Sequence, residues 1–101
     1  MITVIATVIC EDNHRDDFLR EFKSIVPTVL EESGCLTYGP TIDTSTDIIA
    51  QNCDPNRVTI VESWETVEQL KAHLVAKHMN EYRERVKSFI SDVELRVLEN
   101  A

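Results

Sequence analysis

The first ten residues constrain the fold more than any other stretch. They read MITVIATVIC, and from Ile2 to Ile9 every residue is β-branched or small. Such residues suit an extended chain and crowd a helix. Alternation puts Ile2, Val4, Ala6 and Val8 on one side and Thr3, Ile5, Thr7 and Ile9 on the other. Neither side is strongly polar, so a strand covered on both faces is expected. Any fold built around it must cover one sheet twice.

The rest of the chain supplies one cover. Phe18, Phe22, Ile25 and Val29 recur at helical spacing, with Leu19, Val26 and Leu30 widening the stripe. Asp12 or Asn13 is expected to cap this helix and Gly34 to end it in a left-handed turn, with Pro27 as an internal bend. Cys35 to Thr41 reads as a second strand, and Val58 to Trp64 as a third, with Val58, Ile60, Glu62 and Trp64 on one face. Asp43 to Arg57 is a polar connection interrupted by Ile48-Ile49-Ala50, and the two isoleucines are expected to pack on something.

Thr66-Val67-Glu68-Gln69 has capping-box spacing and opens a second helix carrying Leu70, Leu74, Tyr82, Val86 and Phe89, with a break expected near His78-Met79. Val93 to Glu99 alternates as a last strand. The order βαββαβ predicts an α+β, ferredoxin-like domain over residues 1–101, with an antiparallel sheet and both helices on one face. A second copy, sheet against sheet, is the simplest cover for the other face. A chain of 101 residues also builds a ligand pocket more easily when a partner subunit buttresses it.

Composition narrows the partners. Eighteen acidic against ten basic residues give a net charge of −8, with no Lys/Arg cluster to meet a phosphate backbone or an anionic membrane. Nucleic acid and membrane are therefore not expected. The N-terminus lacks the basic flank and cleavage site of a signal peptide. Cys10, Cys35 and Cys53 are odd in number and widely spaced, as reduced thiols of a cytoplasmic protein would be. Two glycines cannot build a nucleotide-binding loop, and no His/Asp/Glu spacing suggests a metal. No cofactor is expected.

Three segments carry a family resemblance: GCLTYGPTID from Gly34, VTIVESWETVEQLKAHLVAKHM from Val58, and VELRVLEN from Val93. Together they resemble the antibiotic-biosynthesis-monooxygenase family. The resemblance implies a homodimer whose sheets close an α/β barrel, with a pocket between sheet and helices in each subunit. It implies a range of chemistries: cofactor-independent oxidation of quinols and polyketide phenols, haem degradation, and isomerisation of a phosphorylated sugar. The haem-degrading members use an Asn on the first strand, and none stands between Met1 and Asp12. The segment from Asp43 to Arg57 is longer than in the shorter members.

Several residues can carry chemistry. His73 and His78 are candidate general bases because imidazole titrates near working pH. His78 and Tyr82 share a helical face if the helix continues, while His14 is expected to be solvated. Glu62 on an apolar strand face is a candidate for proton transfer, or a partner that orients a neighbour. Trp64, Tyr38 and Tyr82 could form a wall and hydrogen bonds for a small aromatic or quinol-like substrate, or could simply be core. The leading functional expectation is a cofactor-independent monooxygenase. An isomerase or small-ligand-binding protein on the same fold, and a non-catalytic dimeric module, are the alternatives.

Overall fold

The computed structural model describes residues 1–101. Its elements follow in the order β1 (Ile2–Cys10), α1 (Arg15–Leu30), β2 (Cys35–Thr41), β3 (Arg57–Trp64), α2 (Val67–Leu74), α3 (Lys77–Val86), a short 3₁₀ turn (Lys87–Phe89) and β4 (Ile90–Leu98). The strands form one antiparallel sheet in the order β2-β3-β1-β4. This is the α+β, ferredoxin-like arrangement that the alternating periodicities predict.

β1 is central, as its apolar faces require. Val4, Ala6, Val8 and Cys10 are buried beneath the helices, and Thr3, Ile5, Thr7 and Ile9 on the other face are half-buried. Pairing in register places Val4 opposite Glu62, Ala6 opposite Ile60, and Tyr38 opposite Glu62. α1 drives Phe18, Phe22, Ile25 and Val29 into the same layer. Complete burial of Phe18 and Phe22 contributes roughly 1.5–3 kcal/mol each. Their rings join an aromatic cluster in which Phe22 stacks on Tyr38 at 5.2 Å and meets Tyr82 edge-on at 5.9 Å.

The helix ends differ from expectation. His14, not Asp12 or Asn13, occupies the N-cap position of α1; it is exposed, stacks on Phe89 at 5.4 Å and hydrogen-bonds Asp17. Asn13 takes a left-handed φ of 68°, unlike the extended backbone typical of an N-cap. α1 stops at Leu30 with Glu31 as its C-cap, and Gly34 makes its left-handed turn three residues later, at the entry to β2. The second helical segment breaks at Val75-Ala76, just before His78, so α3 starts afresh at Lys77. Thr66 does cap α2, accepting from the backbone N–H of Gln69.

The helices lie over β2, β3 and β1 and leave β4 uncovered. Val93, Leu95 and Val97 point to the helix side, opposite Val8, Ala6 and Val4, yet each stays about half exposed. The segment between β2 and β3 is fastened at its base, where Arg57 Nε donates to Asp43 Oδ2 at 2.9 Å. Gln51 and Cys53 both donate to the Thr44 carbonyl. Because these bonds satisfy the segment locally, it needs no apolar anchor. Ile48 and Ile49 are exposed and line neither core nor cavity, so of the two covers expected for them the pocket mouth is not one, and a partner subunit is the other.

Candidate active site

A cavity of about 370 Å³ lies between the sheet and the helices. Ala6, Val8 and Ile60 form its sheet wall, Phe22 and Met79 its helix wall. It opens along β4, where Val93 and Leu95 are exposed. The missing helix cover over β4 is therefore what gives the cavity a mouth. Six polar or charged side chains interrupt an otherwise greasy lining: Tyr38, Glu62, His73, Tyr82, Arg83 and Lys87. Size and lining suit a small, flat, largely apolar ligand held by a few polar contacts.

The two tyrosines are nine-tenths buried, and burial pushes both phenols well above their ordinary range. Neither hydroxyl hydrogen-bonds another protein group, although no buried side-chain N or O is sealed away without a partner. The hydroxyls therefore meet the cavity. Two neutral donors wait there for the oxygens of a ligand.

Glu62 is buried between β1 and β2, and burial pushes its carboxyl up. One hydrogen bond opposes that shift: Trp64 Nε1–H donates to Glu62 Oε1 at 2.9 Å. The Glu32 charge nearby adds to the rise.

His73 is the most enclosed of the polar candidates, at 1% exposure. Its ring lies 4.8 Å from that of Trp64 and meets Tyr38 edge-on at 5.4 Å. Burial pushes its imidazole down, and Glu32 opposes this by hydrogen bonding. Glu32, in the turn after α1, reaches His73 Nδ1 at 2.9 Å and His78 Nε2 at 2.8 Å with the same oxygen. A carboxylate only accepts, so Nδ1 of His73 carries the proton and Nε2 holds the lone pair. A carboxylate behind a histidine is how a general base is held in one tautomer and one orientation. Glu32, His73 and His78 also bring three ligand-type atoms within 4.8 Å of one another.

Comparison with known proteins shows the family and the fold. The sequence model of the antibiotic biosynthesis monooxygenase family matches residues 1–85. The chain belongs to that family. It is 38% identical over 101 residues to the probable quinol monooxygenase YgiN of Escherichia coli K12, covering 98% of this chain and 97% of that protein. Its fold matches the crystal structure of PA3566 from Pseudomonas aeruginosa with a TM-score of 0.83, at 22% identity over 99% of this chain and 93% of that one. Rv0793 from Mycobacterium tuberculosis superposes with a TM-score of 0.81, at 19% identity over 99% and 94% of the two chains.

Within this antibiotic biosynthesis monooxygenase domain, four of the six residues singled out from sequence line one cavity. Two do not. Trp64 is wholly buried and forms no part of the cavity wall. It is the last residue of β3, paired with Ile2 and Cys35, where α2 seals the sheet. It supports the site from behind, through its bond to Glu62 and its tilted ring contact with His73. His78 is half-buried at the start of α3 and touches the site only through Glu32. His73 itself lies deeper than the covered edge where its position beside Leu74 would put it. Glu32 escaped sequence reading: it sits in a polar Glu-Glu-Ser-Gly run past a helix end, without any periodicity to mark it.

Proposed function

We propose that this chain is a cofactor-independent quinol monooxygenase, a single domain acting as a homodimer on a small aromatic quinol. The observation that carries this reading is the cavity in which His73, backed by Glu32, faces two unpartnered tyrosine hydroxyls. The likeness to a probable quinol monooxygenase supports it.

The chemistry needs a base, an apolar wall and exclusion of bulk water. The quinol hydroxyl gives its proton to Nε2 of His73, while Tyr38 and Tyr82 donate to the quinol oxygens. The electron-rich anion passes electrons to dioxygen, one oxygen atom becomes bonded to a ring carbon, and the other leaves as water. Quinol plus dioxygen thus becomes hydroxyquinone plus water. Glu62, whose carboxyl burial pushes up, stands on the cavity wall as the group that returns a proton to the reduced oxygen. A second copy, sheet against sheet, covers the face that carries Thr3, Ile5, Thr7 and Ile9 and buttresses the cavity from the far side of the sheet. Three free thiols fit a reducing compartment, the cytoplasm.

Oxygen uptake with a panel of benzo- and naphthoquinols tests the reaction. Stoichiometric oxygen consumption with a hydroxyquinone product is expected. Quinol binding without oxygen uptake would favour a ligand-binding or isomerase role. A monomeric mass by sedimentation at micromolar concentration would remove the dimer.

A further inference from the structure

Glu32, His73 and His78 come from three separate elements and converge on one point. Glu32 Oε2 lies within hydrogen-bond distance of both imidazoles, at 2.9 and 2.8 Å, and the three donor atoms fall within 4.8 Å of one another. Ligands about 2.0–2.1 Å from a tetrahedral zinc stand roughly 3.3–3.4 Å apart. Withdrawing the carboxylate by about 0.5 Å, and swinging the two rings so that their donor nitrogens close by up to about 1.4 Å, reaches that spacing. Two imidazoles and one carboxylate are a common set of protein ligands for zinc-class cations, leaving a further position for water. The cluster is also shielded: the side chains are 2%, 16% and 31% exposed.

We propose that Glu32, His73 and His78 bind one divalent d-block cation of the zinc class, and that this cation switches the site off. The second half rests on the monooxygenase reading; the first does not. In the metal-free protein the Nδ1 proton of His73 points at Glu32 and the Nε2 lone pair at the cavity. A cation at Nδ1 needs a lone pair on that nitrogen, so the ring proton moves from Nδ1 to Nε2 and occupies the lone pair there. His78 makes the corresponding exchange from Nε2 to Nδ1. No proton is gained or lost, since both neutral rings only change tautomer. His73 then presents an N–H to the cavity and can no longer accept the quinol proton.

The test uses the purified full chain, freed of metal by chelation, with Zn²⁺ and Co²⁺ as probes. Cys53 is exposed and is the obvious competing ligand, so a Cys53→Ser chain is the reference. Calorimetry should find one Zn²⁺ per chain, with affinity falling at least tenfold in His78→Ala and in Glu32→Gln. Bound Co²⁺ should show ligand-field bands without thiolate charge transfer. Nitrogen-15 shifts of the two imidazoles should report the tautomer exchange in the unmutated protein, which covers the case of a variant that fails to fold. Equal binding by the reference chain and both variants, thiolate bands, or unmoved imidazole shifts would overturn the metal site. Zinc bound as described with oxygen uptake unchanged would overturn only the switch. Absence of any quinol oxidation, with zinc still bound, would count against the monooxygenase and leave the metal site standing.

Discussion

The imidazole of His73 and the indole of Trp64 lie 4.8 Å apart at a tilt of 37°, forming one buried aromatic slab behind the cavity. The indole also holds Glu62 through its N–H. One side chain therefore fixes two polar groups that face the ligand space. Trp64→Phe keeps an aromatic ring but removes the donor, leaving Glu62 without its hydrogen bond. A loss of about 1–3 kcal/mol is expected, because a buried acceptor is left without its partner. Urea denaturation measures it, and a loss well under 1 kcal/mol would contradict the role given to this bond.

Glu62 makes a distinct pH prediction. Its folded-state carboxyl is raised, first by burial. The folded protein therefore binds the Glu62 proton more tightly than the unfolded chain does. That contribution to stability is present below the ordinary carboxylate range and is lost as pH rises through the raised value. Glu62→Gln keeps an oxygen for Trp64 and carries no charge to desolvate. The variant should match the wild type near pH 4 and gain on it toward pH 8. Thermal melts of both chains across that range provide the check, and a difference that is flat or of opposite sign would remove the burial argument.

His73 and Glu32 should separate activity from folding. His73 is fully buried, so His73→Gln is a better probe than alanine, which would open a void. With quinol as substrate, His73→Gln is expected to lower kcat by about 10²–10⁴-fold, the usual worth of a positioned base. Glu32→Gln leaves the base in place but no longer fixes its tautomer, and a loss of about tenfold or more is expected. Oxygen-electrode kinetics with melting curves on the same samples decide it. If Glu32→Gln retains full turnover, the carboxylate is structural only.

Gly34 tests the entry to β2. Its φ of +82° suits glycine, and a Cβ there would run into the Gln69 side chain. Gln69 is held by the Thr66 hydroxyl and itself donates to Ser33. Gly34→Ala should cost about 2 kcal/mol, of which about 1–2 is left-handed backbone strain. In a Gln69→Ala background the steric part should vanish and the backbone part remain, a coupling that a double-mutant cycle reads directly. Strict additivity of the two substitutions would show that they do not collide.

Where periodicity carries information, sequence and fold coincide. β2 runs from Cys35 to Thr41 as its residues suggest, and the buried face of α1 is the Phe18, Phe22, Ile25, Val29 stripe. Glu62 and Tyr38 reach the same cavity because strand alternation alone fixes their face, and register then sets them opposite each other. What stayed hidden depends on where chain ends land in space. Glu32 matters because the end of α1 arrives beside α2 and α3, which no local pattern announces. Trp64 looked like a wall because alternation gives the face of a residue but not how far along the strand the cavity extends. That Ile48 and Ile49 do not reach the cavity mouth stayed hidden, because hydropathy does not register a loop whose polar groups satisfy one another.

That loop has an evolutionary side. Arg57 and Asp43 close it like a clasp, and Arg57 Nη2 also reaches Asn52 from the same end of β3. Strand pairing begins just inside the clasp, with Thr41 opposite Thr59. Everything beyond the clasp can lengthen, shorten or change character without disturbing the strands or the cavity they wall. Natural selection, or a protein engineer, can treat it as an interchangeable attachment on a fixed frame, one that sets which surfaces this domain meets while its interior stays the same.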